Sequence, residues 1–76
     1  MNRGNEVKCY RKWLFSLPVI KKSRDFDGVS FELRQVPDNN ELVFVRYEDG
    51  IYDSSSLQSY WGKEQFDEML KNCGLD

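Results

Sequence analysis

Between Val29 and Asp53 the chain alternates extended runs with tight turns, and this local wiring restricts the fold more than any other feature. In Val29 to Val36, Val29, Phe31 and Leu33 point one way and Ser30, Glu32 and Arg34 the other. That alternation predicts a strand with one packed and one wet face. Pro37-Asp38-Asn39-Asn40 reads as a hairpin loop, since proline presets φ and the Asx side chains cap the turn. The return run, Glu41 to Tyr47, is apolar on both faces, with Leu42 and Phe44 on one and Val43, Val45 and Tyr47 on the other. It is expected to be central and covered twice, the second cover being a helix, a loop or a partner subunit. Glu48-Asp49-Gly50-Ile51 centres Asp-Gly in a two-residue hairpin, and a brief strand follows at Ile51 to Asp53. Connections this short make the sheet antiparallel.

Helical character is expected after Asp53. Ser54, Ser55 and Ser56 offer N-caps, and Ser55 has Gln58 three residues on, as in a capping box. Leu57, Tyr60 and Trp61 make one apolar turn before Gly62 interrupts it. Gly62 then reads as the N-cap of a second helix, Lys63 to Cys73, with Trp61 stapling onto Phe66. Phe66, Met69, Leu70 and Cys73 fall at i, i+3, i+4 and i+7, an amphipathic stripe. Glu64, Asp67 and Glu68 near its start and Lys71 near its end suit the helix dipole, and Gly74 is the expected C′ residue.

The N-terminal third has two readings. With period two, Val7, Cys9, Arg11, Trp13, Phe15 and Leu17 share a face; with period 3.6, Tyr10, Trp13, Leu14 and Leu17 form a stripe. Aromatic and β-branched content favours a strand over Lys8 to Leu17, ended by Pro18. Trp13 to Ile20 superficially resembles a signal-peptide core, but it is short and runs into Lys21-Lys22, so it reads as structure. Ser23 to Gly28 is a turn in which Asp27-Gly28 accepts positive φ. The expectation is one α+β domain over residues 1–76, with residues 1–5 frayed. An antiparallel meander of three to four strands packs one face on a C-terminal helix broken at Gly62. Its core would hold Val29, Phe31, Leu33, Val43, Val45, Phe66, Met69 and Leu70, with Trp13 and Phe15 contributing.

Charge is split by position. Residues 1–24 carry seven cations against one acid, a balance of +6, and residues 25–76 carry four against twelve, a balance of −8. Such asymmetry marks either a charged binding face or internal complementarity. Lys8, Arg11, Lys12, Lys21, Lys22 and Arg24 are therefore the candidate nucleic-acid contacts, interleaved with Tyr10, Trp13 and Phe15. In strand geometry Lys8, Tyr10 and Lys12 share a face while Trp13 and Phe15 point away, which weakens that reading. Were the segment helical, the order would become α-β-β-β-α, that of double-stranded-RNA-binding domains. Their lysine-rich motif is missing, because the last helix starts Gly62-Lys63-Glu64-Gln65.

Tyr47, Tyr52, Tyr60 and Trp61 are the candidate protein-binding residues, since tyrosine and tryptophan bury large area with a polar handle. Histidine is absent, which removes the commonest general base and metal ligand, so no enzyme, metal or cofactor is expected. No apolar run reaches the ~20 residues of a membrane span. Cys9 and Cys73 are expected to be free thiols in a reducing cytoplasm, a disulfide requiring the first element to meet the last helix. The leading expectation is a non-catalytic module binding a protein, itself included; a nucleic-acid binder is the alternative.

Overall fold

The structure, a computed structural model, describes residues 3–75, with side chains from Cys9 onward. The element order is α1 (Arg3–Ser16), β1 (Val19–Lys22), β2 (Val29–Gln35), β3 (Leu42–Glu48), β4 (Ile51–Leu57), α2 (Gln58–Trp61) and α3 (Lys63–Asn72). The four strands form one antiparallel sheet in the order β1-β2-β3-β4, as the short connections require. Asp27 with Gly28 and Asp49 with Gly50 both take positive φ, so both Asp-Gly pairs form the tight turns expected of them. Asp49 N–H donates to Gly28 O at 2.7 Å and ties the two turns together at one end of the sheet.

Register decides how the core is divided. Leu33 opposes Phe44, and both are buried under α3 with Phe66, Leu70 and Leu75. Arg34 opposes Val43 and Glu32 opposes Val45, all facing the other way. There Val43 and Val45 are buried with Leu14 and Leu17. The expected single core is therefore two cores, one on each side of the sheet, and Val43 and Val45 belong to the one without α3. Gly62 N-caps α3, Trp61 packs against the cluster that holds Phe66, and Gly74 has φ +76, as anticipated.

Residues 8–17 correct the strand expectation. They lie in α1 and the turn after it, because the 3.6 period places Leu14 and Leu17 on the second apolar face of β3. The second cover is thus a helix of the same chain. Trp13 and Phe15 are 39% and 42% exposed, flanking the stripe rather than filling the core. α1 begins at Arg3, and Met1, Asn2 and Asp76 lie outside the described residues. Pro18 ends the helix, and Val19–Lys22 adds an exposed edge strand.

Two further expectations change. β4 runs through Leu57, so Ser54, Ser55 and Ser56 are strand residues rather than helix caps. No side chain caps α2 from Leu57; instead Ser59 N–H donates to the Glu41 carboxylate at 3.2 Å. Glu32 and Arg34, expected on a wet face, are 5% and 9% exposed beneath α1.

Candidate functional site

The sheet has two edges, and they differ chemically. β1 is four residues long, carries Lys21 and Lys22 and is bulged where Ile20 lies between paired Val19 and Lys21. Short length, lysines and bulges are the usual guards against edge-to-edge pairing. β4 is seven residues long. Its bulge falls near the start, at Asp53, where the register shifts between Arg46 and Tyr47. Arg46 pairs there with Asp53 and Glu48. Beyond it, Ser54 to Leu57 is regularly paired to β3 and contains no charged residue.

This uncharged stretch borders a groove of about 430 Å³ lined by Tyr10, Ser55, Ser56, Leu57 and Tyr60. Tyr10 reaches it from α1, its hydroxyl sharing a 2.5 Å hydrogen bond with Ser55 Oγ. Tyr52 shares a second bond with the same Oγ at 2.9 Å. From the other side of the sheet, Trp61 Nε1 donates to Ser56 Oγ at 2.7 Å. Ser55 and Ser56 thus serve as sockets for aromatic side chains, while Ser54 Oγ donates to the Asp53 carboxylate at 3.4 Å. Tyr60, 80% exposed, stands edge-on to Trp61, and Trp13 packs beside Tyr10 with ring centroids 5.7 Å apart.

The helix above this edge is held by a buried polar network. Arg34 Nη1 donates to Leu17 O at 2.7 Å, Phe15 O at 3.3 Å and Leu14 O at 3.4 Å, satisfying carbonyls at the end of α1. Its Nε donates to Glu32 Oε1, which also accepts from Tyr47 OH at 2.8 Å. Phe15 lies 5.2 Å from the guanidinium and stands edge-on to Tyr52. Burial, and then the bond to Glu32, push the Tyr47 phenol above its ordinary pKa. Burial opposes the charge on Arg34, but Glu32 and Tyr47 together more than offset it and the pKa rises.

The sequence candidates are therefore dispersed. Tyr47 and Tyr52 lie half-buried on the α1 side, while Trp61 is half-buried with the α3 cluster and Tyr60 is open. Of the cations, Arg11 sits over the Tyr52 ring at 5.1 Å and Arg24 over Phe26 at 5.8 Å. Lys12 is exposed on α1, and Lys21 and Lys22 sit side by side on β1 opposite Leu33 and Glu32, so they face opposite sides of the sheet. The Lys8 side chain lies outside the described residues. Among the described residues the ion pairs are Arg34–Glu32, Arg46–Glu48 and Arg46–Asp53. The acids of α3 lie on the far side of the sheet from α1 and do not neutralise it.

Sequence reasoning missed Tyr10, Ser55, Ser56 and Leu57 as groove residues. The available signal was the helical stripe Tyr10, Trp13, Leu14 and Leu17. Among the described residues no group of three or more Cys, Asp or Glu is placed to hold a metal ion, and no helix is long and apolar enough to cross a membrane. Comparisons with protein-family models, curated proteins and solved structures found no match.

Proposed function

We propose that this protein is a non-catalytic interaction module, working in a reducing cytoplasm, that takes up an extended segment of a protein along β4. The observation that carries the reading is the unguarded edge. Ser54 to Leu57 offers backbone donors and acceptors without a charge to repel a partner, between Tyr10 and Tyr60. Strand addition gains affinity from main-chain hydrogen bonds and specificity from side-chain pockets. Tyr60 and the exposed part of Tyr10 supply the amphipathic contact area that interface anchors need. Trp61 and Tyr52 set the edge by holding Ser56 and Ser55.

The test is a display selection of extended peptides against the protein, followed by mapping of amide shifts. Binders that shift residues of β4 and Tyr10 support the reading. Binders that map only elsewhere defeat it.

A polyanion is the second reading, favoured by one observation. The helix puts Arg11 and Lys12 on the element that carries Tyr10 and Trp13, across the sheet from the acids of α3. Phosphate neutralisation would then supply salt-dependent affinity. Titration with labelled single-stranded RNA or DNA at low salt decides it, and the absence of binding there, where screening is weakest, ends it.

A further inference from the structure

We infer that the segment received by β4 is β4 of a second copy, paired antiparallel about a two-fold axis through the Ser54–Leu57 stretch. This rests on the edge-binding reading above and names its occupant.

Three observations converge. The first is charge. In an isologous contact each residue near the axis meets its own kind, so charged edges repel themselves. β1 would set Lys21 and Lys22 against lysines, whereas Ser54 to Leu57 sets neutral against neutral.

The second is fit. The groove lies between Tyr10 on the α1 side and Tyr60 after β4, so an incoming strand needs small side chains on both faces where it passes the rings. Ser54, Ser55 and Ser56 meet that need. Ser55 bonds Tyr10 on the α1 side, and Ser56 bonds Trp61 on the α3 side.

The third is the length of α1. Arg34 of β2 holds its C-terminal end, Leu14 lies over Val43 and Val45 of β3, and Tyr10 lies over Ser55 of β4. The helix therefore crosses the sheet toward the open edge and starts seven residues before Tyr10, at Arg3. At ~1.5 Å per residue it overhangs β4 by roughly 10 Å, about two strand spacings. A helix end that extends past an unpaired strand gains a neighbour once a second β4, with its own α1, lies beside it.

A stable dimer needs roughly 800 Å² from each partner. The strand edge and the exposed parts of Tyr10, Trp13 and Tyr60 are the described surface on which that contact would be built. The product is an eight-stranded sheet with both α1 helices on one face.

Light scattering on the full chain at roughly 100 µM should give a dimer, since interfaces of this size bind at micromolar or tighter. Amides of β4 that do not bond to β3 should exchange slowly at that concentration and quickly on dilution. Ser54→Lys and Ser54→Asp, placed on an exposed residue, should each weaken association roughly tenfold or more through like-charge contact across the axis. An equimolar mixture of the two should restore the dimer, which a folding defect cannot imitate. Tyr60→Lys should weaken it as well. A monomer at that concentration, or a dimer indifferent to all three substitutions, overturns the inference. If the protein is monomeric yet selected peptides shift β4, self-pairing falls and the interaction module stands; if no peptide binds either, both fall.

Discussion

Arg34 fastens the C-terminal end of α1 to the sheet. Its guanidinium gives hydrogen bonds to three backbone carbonyls of residues 14–17 and to Glu32, and Phe15 lies over it. Replacing it with methionine strands a buried carboxylate and uncaps the helix at once. Arg34→Met should therefore cost about 3–5 kcal/mol in urea unfolding, with loss of helical circular dichroism. Adding Glu32→Leu should recover much of that, because the unpaired charge goes too; a double variant no better than the single one would contradict this account. Tyr47 adds a pH dependence. Its phenol is raised by burial first and by Glu32 second, so the folded protein resists ionisation that the unfolded chain accepts near the usual ~10. The stabilisation is complete below that pH and is lost as pH climbs toward the folded value. Urea midpoints measured from about pH 8 to pH 11 should fall more steeply for the wild type than for Tyr47→Phe.

Of the two long helices, α1 is the more thinly attached, since the described buried side chains on it and in the turn after it are Leu14 and Leu17, against Phe66, Leu70 and Leu75 for α3 and its end. Leu14→Ala should cost about 2–4 kcal/mol. Amide exchange should show α1 losing more protection than β2 and β3; equal loss everywhere would mean that helix and sheet open as one unit. This thin stripe is also why α1 was hard to read. Two buried leucines among Tyr10, Trp13 and Phe15 give a weak helical period, and rings favour strands as a class. By contrast α3 was legible, because Phe66, Met69 and Leu70 repeat cleanly and Gly62 and Gly74 bracket them. The two Asp-Gly turns were legible for a similar reason, since both residues take positive φ. The serine run was ambiguous by chemistry, because a hydroxyl that can cap a helix can also bond Tyr10, Tyr52 or Trp61 from a strand. The burial of Glu32 and Arg34 was available but unused. A strand that is apolar on both faces implies cover on both sides, and that cover extends to the neighbouring strand.

At the scale of the whole molecule, the sheet is a partition. α1, with Arg11 and Lys12, lies on one side, and α3, with Glu64, Asp67 and Glu68, lies on the other. The candidate groove opens where that partition has an unguarded rim, which is why no local motif announced it. It combines residues 10, 55–57 and 60, brought together by tertiary packing. The same partition settles the cysteines. Cys9 is exposed on α1, and Cys73 is half-buried at the end of α3, its thiol pushed up by burial. A disulfide needs Cα atoms within roughly 7 Å, and two groups on helices packed against opposite faces of a sheet do not meet that limit. Mild oxidation should therefore produce no intrachain bond. Aromatic disulfide reagents should label Cys9 quickly and Cys73 slowly, the second rate rising in denaturant, because the thiolate is the reactive form. Any oxidised dimer on a non-reducing gel should disappear in Cys9→Ser. A faster-migrating oxidised monomer that is lost in either Cys9→Ser or Cys73→Ser would place both thiols on one side and refute the partition.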